Sequence, residues 1–387
     1  MPPSFPVFPF IGRPPSLPGA SVLVLLALAL TPAAHAVTVA PDLTLNGDVR
    51  LRYENDWDSH TATGARRVDR ERGRVRVRVS AAYRFNPDWS FGARIRTGNT
   101  QSQQSPHLTF EASDGSANDD LQFSLDRYFL QYKHGATTAW AGRNSSPFWQ
   151  QNELFWDEDI TPTGAAAVID SKRGDATLTT TLGAFALPDG ANRLNGHLFA
   201  GQLKYTLPLK PAQLIVAGGL HAFDGRSGAR FLRNRNGERD YLVGILSAQW
   251  STVAGTWPIA LGVDLLKNFA DYNAADVAPL PAAQTDETNG WVFSATAGQL
   301  KNRGDWLFGY YYAHIETFAA NASYAQDDWA RFGNGPQSDL TDIKGSEFRL
   351  AYAITKDLNL MARCFLVEAI TSRQDAKRFR VDANWKW

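Results

Sequence analysis

From residue 43 onward the chain is dominated by strict alternation of apolar and polar residues, sustained over segments of about ten residues. Leu43, Leu45, Gly47, Val49, Leu51 and Tyr53 interleave with Thr44, Asn46, Asp48, Arg50, Arg52 and Glu54. Val75, Val77, Val79, Ala81, Tyr83 and Phe85 do the same against Arg74, Arg76, Arg78, Ser80, Ala82 and Arg84. After Asn86-Pro87-Asp88, Trp89, Phe91, Ala93 and Ile95 oppose Ser90, Gly92, Arg94 and Arg96. A period of two puts one set of side chains on each face of a strand. The segments exceed the usual five or six residues of globular strands and approach the 9–11 that cross a bilayer. Their polar faces carry full charges, which the dry core of a soluble sandwich does not accept.

Sixteen such segments can be counted: 43–54, 72–85, 89–97, 121–133, 137–143, 165–170, 175–185, 197–205, 212–223, 240–250, 258–268, 289–299, 305–316, 344–354, 358–368 and 377–387. Those at 212–223, 240–250, 258–268 and 305–316 alternate poorly. Connections are short on one side, as at 86–88, 134–136 and 355–357, and mostly long and polar on the other, as at 98–120, 269–288 and 317–343. This pattern predicts an all-β transmembrane antiparallel barrel of sixteen strands, with short periplasmic turns and long extracellular loops. Tyr83, Phe85 and Trp89, Tyr132 and Trp140, and Trp250 and Trp257 flank short turns, where interfacial girdles are expected. The last segment puts Phe379, Val381, Ala383, Trp385 and Trp387 on one face. A closed sheet satisfies every backbone polar group without water, as hydrocarbon requires.

The N-terminus carries a different signal. Arg13, an apolar run over 19–30 and an Ala34-His35-Ala36 end are the parts of a secretory signal peptide, expected over residues 1–36. The barrel is then expected over 37–387, in the outer membrane of a bacterial cell. No other apolar run approaches membrane length, which excludes a polytopic helical membrane protein. Basic and acidic residues balance at 39 each, which argues against bulk binding of nucleic acid. The single Cys364 excludes a disulfide framework or a Cys-based zinc site.

One loop departs from the usual polar composition. Residues 144–164 hold Phe148, Trp149, Leu154, Phe155 and Trp156 together with Glu153, Asp157, Glu158 and Asp159. Aromatics in such number need a place to be buried. The lumen offers it, so the loop is expected to fold inward as a constriction. From Gly142 to Ala167 the chain also resembles the putative porins of Gram-negative bacteria: Gly142-Arg143, then Pro147-Phe148-Trp149, Trp156-Asp157 and Asp159, then Pro162 and Gly164. Leu125-Asp126-Arg127-Tyr128 and the barrel layout are similar as well, so the likeness extends over most of 40–387. The resemblance implies an outer-membrane pore and fixes no substrate.

A basic constellation faces this loop in the expected barrel. Arg50, Arg52, Arg74, Arg76, Arg78, Arg94 and Arg96 share the polar faces of the first three segments. Closure between the last segment and the first adds Arg378, Arg380 and Lys386. An Arg on the lipid face at mid-bilayer costs about 2–4 kcal/mol, so the ladder is expected to line the lumen. Set against the acids of the inward loop, it would create a transverse field and a preference for anionic or zwitterionic solutes. The competing reading is a set of structural arginines neutralised by Asp48, Glu54 and Asp382.

Passive diffusion of small hydrophilic solutes and ions is therefore the expected function, with membrane lipid and solutes as partners. An alternative is a selective barrel for an acidic carbohydrate, in the style of alginate export; an adhesin or a barrel enzyme is the rival from another class. His60, His107, His134, His197, His221 and His314 are scattered without metal-ligand or nucleophile–base spacing, so neither an enzyme, a cofactor nor a metal site is expected. Asp119-Asp120 and Asp327-Asp328 read as solvated loop acids rather than Ca²⁺ ligands. Homotrimers are common among sixteen-stranded porins, and nothing in the sequence marks a trimer face.

Overall fold

The structure, a computed structural model, describes residues 37–98, 104–117, 120–188, 194–225, 239–277, 282–329 and 341–387. The expected signal peptide over 1–36 lies outside these residues. Among the described residues eighteen strands form one sheet. In chain order they are β1 (Val37–Ala40), β2 (Leu43–His60), β3 (Arg70–Arg84), β4 (Trp89–Thr97), β5 (Leu108–Ala112), β6 (Phe123–His134), β7 (Thr137–Arg143), β8 (Thr163–Arg173) and β9 (Ala176–Pro188). There follow β10 (Leu194–Leu209), β11 (Ala212–Asp224), β12 (Tyr241–Ala254), β13 (Trp257–Asn268), β14 (Asn289–Gly298), β15 (Trp306–Ile315), β16 (Ile343–Ala353), β17 (Leu358–Ala369) and β18 (Asp375–Lys386).

Every pairing is antiparallel, and β18 closes on β2 from Asp375↔His60 to Lys386↔Asp48. The result is a closed barrel of sixteen staves. Each expected segment is one of them. Two strands were not expected. β1 adds a short pairing to the start of β2. β5 lies inside the expected loop 98–120 and pairs with β3 (Arg72↔Ala112, Val75↔Leu108) above the place where β4 pairs with the same strand. The third stave is thus made of two strands, β4 and β5, which pair with successive parts of β3. β5 shows only five residues of alternation, too few to stand out in the sequence.

The two faces invert the rule for soluble proteins. Leu182, Phe199 and Ile95 are 58, 59 and 49% exposed, whereas Arg52 and Glu54 are 0% exposed. With lipid outside, this is the ordinary barrel arrangement. Aromatic rings meet on the outer wall beside the short turns: Trp89 with Tyr132, Trp257 with Phe308, and Trp306 with Tyr352. Trp140 is the exception to the expected girdle. It is buried, 5.7 Å from Phe185 in a stacked arrangement, on the inner face.

Inside, the wall is of two kinds. Along β2–β4 and β17–β18 it is charged. Along β7–β13 it is apolar, with Trp140, Phe185, Leu198, Phe223, Tyr241 and Ile245 in one buried cluster. That explains the poorly alternating segments. In β11 and β12, Phe223, Tyr241, Val243 and Ile245 are buried inside while Leu220 and Leu246 are exposed outside. A strand apolar on both faces has no alternation to read.

Candidate functional site

What covers the apolar half of the wall is loop chain. β7 ends at Arg143 and β8 begins at Thr163, so the inward loop spans 144–162, two residues shorter than expected. It leaves the wall at Gly142, whose φ is +126°. A Cβ there would lie 2.3 Å from the Tyr128 carbonyl oxygen, so glycine is required. The altered twist breaks parity: Trp140 and Arg143, three residues apart, both point inward. Arg143 Nε then donates to Thr161 O at 3.1 Å and ties the two ends of the loop together.

From there the loop crosses the barrel. The Phe148 ring lies edge-on to His221 at 4.9 Å and to Phe185 at 6.3 Å. The backbone of Trp149 makes a two-way bond with Gln202 of β10, N–H to Oε1 and Nε2–H to O, both 2.9 Å. Gln151 donates to Asp264 Oδ1 of β13 at 2.8 Å, and Asn152 donates to the other oxygen. Trp156 stacks on Tyr324 at 5.6 Å. At the far side Asp159 accepts from Arg78 of β3 at 2.7 Å and lies 3.7 Å from Arg76. Glu153 approaches Arg363 of β17 at 3.4 Å, and the largely exposed Glu158 approaches Arg76 at 3.8 Å.

A second segment joins it. Residues 316–329, the start of the long connection after β15, lie in the interior, with Phe318, Tyr324 and Trp329 almost fully buried. Asp157 N donates to Tyr324 O at 2.9 Å. The connection between β4 and β5 supplies a third piece, Gln104, whose Nε2 donates to Ala325 O. In the connection 269–288, Tyr272 reaches Phe318 at 4.9 Å between ring centres, and Val277 is buried. Of the residues between 317 and 343, 330–340 lie outside the described set.

The arginine ladder faces inward and is paired almost throughout. Arg52 holds Asp382 at 2.7 Å; Arg76 and Arg78 share Asp48 at 2.8 and 2.7 Å. Arg94 holds Asp126 at 2.5 Å, with Arg96 3.6 Å away. Glu54 gathers Arg72, Arg74 and Arg380, and Arg378 binds Asp56 at 2.5 Å. Arg50 is the least committed, bonded to Asn384 at 2.6 Å and 3.9 Å from Asp382. Lys386 is exposed at the end of β18. Asp328, expected as a solvated loop acid, is instead buried between Arg52, Arg363 and Arg380, because its segment folds into the lumen. Asp126, Gln202, Asp264, Glu347, Arg349 and Arg363 join the site without having been expected there. Glu347 and Arg363 could have been found, since they are charged residues on the inward parity of β16 and β17; Gln202 and Asp264 carry no such mark.

Between the charged wall and the inserted loops lies a cavity of about 350 Å³. Its acids stand in different states. Asp159 is held down at about 2: burial opposes its ionisation, but Arg78, Arg76, Arg96 and Arg94 outweigh it. Glu153 is pushed up to about 7 by burial and then by Glu158 and Asp328. Asp157 is pushed well above the usual range by burial and by Asp159, Asp327 and Glu153. The site thus has a paired half and an unpaired half.

Residues 61–230 match the family model described as putative porin, a span that includes the loop and its Gly142–Ala167 flanks. Over that span the chain is similar to the putative porin family. Solved outer-membrane barrels share the architecture of this chain. OprB of Pseudomonas putida is 11% identical with a TM-score of 0.56, covering 89% of this chain and 94% of its own. OmpF of Salmonella typhi, solved with daunomycin, is 11% identical at 0.54, covering 91 and 100%. OmpT of Vibrio cholerae in its trimer form is 11% identical at 0.50, covering 89 and 99%. At that identity the likeness is one of fold. No curated protein matches the chain.

Proposed function

We propose that this porin passes small hydrophilic solutes and ions across the bacterial outer membrane by passive diffusion. The observation that carries this reading is a barrel with a charged inner face whose lumen is narrowed, on its apolar side, by loop 144–162 and residues 316–329. Sixteen staves enclose an aqueous channel unless loops fill it. The loops pack on the apolar wall of β7–β13, which favours passage along the charged wall.

The pairing of the ladder bears on selectivity. An arginine held by a carboxylate at 2.7 Å contributes a dipole rather than a free charge, so the wall orients solutes more than it selects anions. The anion preference expected from the sequence then rests on Arg50 alone and is weak. Nothing in the paired wall favours a track for a long acidic carbohydrate. We read the protein as a channel rather than an enzyme: His60, His134 and His197 each face a single Asp at a strand end.

Residues 1–36 are proposed to direct export, and a homotrimer is the proposed assembly, as in the trimer form of OmpT. Planar-bilayer recording of the purified protein tests the function. Ohmic steps that grow linearly with KCl support it; an electrically silent barrel that also admits no sugar in liposome swelling refutes it.

A further inference from the structure

The cavity beside the constriction has a charge imbalance that the pore reading leaves unused. Six acids line it from the inserted loops; Asp159 and Asp328 are ion-paired to wall arginines and Glu158 approaches Arg76, which leaves Glu153, Asp157 and Asp327. Among the described residues, Asp157 and Asp327 form no ion pair, and Glu153 has only Arg363 at 3.4 Å. Of the three arginines in the lining, Arg50 is bonded to Asn384 and lies 3.9 Å from Asp382, and the other two are engaged by wall carboxylates. Arg363 binds Glu347 at 2.6 Å and Asp328 at 2.8 Å, and Arg349 also binds Glu347. When ionised, these three acids outnumber the one loosely held arginine of the lining, Arg50.

A second observation is independent of the acids. Gln104 is 1% exposed and lines the same cavity. Its Nε2 is used by the 316–329 segment, while its Oε1 has no hydrogen-bond partner among the described residues. The amide orientation is fixed by that donation, so the free atom is an acceptor. His107, also on the cavity wall, has a buried Nε2 without a partner among the described residues. Burial, and then Arg52, Arg74 and Arg76, keep its imidazole well below the usual range and hence neutral. An acceptor left bare at that depth costs about 1–3 kcal/mol unless something donates to it. Among the described residues no three His, Cys, Asp or Glu side chains group as a metal ion needs. The acids are instead spread around a space large enough for a small molecule.

We propose that this chamber is a binding subsite for an organic cation carrying N–H donors, a primary ammonium or a guanidinium group. Asp157, Asp327 and Glu153 meet its charge, and Gln104 Oε1 accepts one of its N–H groups. The inference rests on the channel reading, because the solute reaches the chamber through the lumen. It also assigns the chamber a preference opposite to the one the arginine ladder suggests.

Three four-carbon probes test it: 1,4-diaminobutane, 1,4-butanediol and succinate. Titrations of the full-length mature protein in detergent micelles by calorimetry should give saturable binding of the diamine only. In bilayers the diamine should reduce KCl current with the same midpoint. Asp157→Asn and Asp327→Asn should each raise that midpoint at least tenfold, as should Gln104→Leu, while KCl conductance persists. Heat-modifiable electrophoretic mobility checks that each variant folds, and the three variants lie on three different segments, so a misfolding one leaves the others. Equal binding of succinate, or diamine binding unchanged in the folded variants, overturns the subsite. Diamine binding to a barrel that passes no current would keep the subsite and overturn the channel.

Discussion

Asp159 and Arg78 form an ion pair at 2.7 Å although 81 positions separate them in the chain. The pair fastens the C-terminal part of loop 144–162 to the charged wall of β3, while Gln151 and Asn152 in its middle bond to Asp264 of β13. The loop is therefore anchored at both sides of the lumen as well as at its roots. Asp159→Asn should loosen only the β3 end. The expected result is larger current noise and a higher mean conductance, with thermal stability lowered by about 1–3 kcal/mol, as for a hydrogen bond to a charged group. A quiet channel of unchanged conductance would show that this anchor does not set the aperture.

The aromatic side of the loop is a packing matter. Trp156 is 5% exposed and lies against Tyr324 and Phe223. Trp156→Ala should cost about 3–5 kcal/mol, the range for a buried Trp, read as a lower midpoint in urea unfolding from micelles. Because the same residue joins two inserted segments, proteolytic cleavage within 144–162 should accelerate in the variant and not in the parent.

Glu347 holds two arginines of the inner wall, Arg349 and Arg363, and is 0% exposed. Glu347→Gln leaves both guanidiniums without it in a space of restricted water. Removing one partner of a buried pair costs about 3–5 kcal/mol, so the variant should refold in low yield. The double change Glu347→Gln with Arg363→Gln should recover part of that loss. Absence of any recovery would mean the two sites act independently.

Conduction should depend on pH with a definite sign. Glu153 at about 7 and Asp327 at about 6 are both pushed up by burial, then by neighbouring acids. Below those values they are neutral; above them the chamber gains negative charge. Reversal potentials in a KCl gradient should move toward cation selectivity between pH 5 and pH 8, and Glu153→Gln should shrink the shift. The linkage to stability has the opposite sense from that of a paired acid. A carboxyl whose folded value lies above its unfolded one withdraws stability as pH rises, here from about 4 to 7. Asp159 contributes stability above 3.8 that is lost as pH falls toward 2. The barrel should therefore be somewhat more resistant to urea at pH 5 than at pH 8.

Leu182 of β9 is 58% exposed on the outer wall, and Thr181 beside it is buried within. Leu182→Arg should lower insertion into liposomes by up to about 2–4 kcal/mol if it lies at mid-bilayer. An equally exposed arginine in an extracellular loop should leave insertion unchanged.

The sixteen staves were legible because each has one face in lipid and most have the other in water. That contrast writes a period of two into the sequence, and arginine at Arg74, Arg76 and Arg78 can only be on the wet side. The inward course of 144–162 was legible too, since Phe148, Trp149 and Trp156 have no reason to sit in an exposed loop. Where the contrast vanishes, reading failed. In β11 and β12 the inner face is covered by loop rather than water, so both faces are apolar. Trp140 was taken for a girdle residue because the φ of Gly142 and the parity break it introduces are not visible in a string of letters.

The sequence by itself determined the architecture and, where alternation is clean, which side chains face inward, because those follow from nearest-neighbour alternation. It did not determine what the charges do. Whether Arg52, Arg76 and Arg78 stand free or are held by Asp382 and Asp48 depends on register between strands, and on closure of β18 against β2. Whether Asp157 and Asp327 meet beside Gln104 depends on three loops entering the same lumen from distant parts of the chain. Electrostatic interaction falls with separation in space, not along the chain. Only the tertiary structure brings these groups within range, and only it decides which of them are left unpaired.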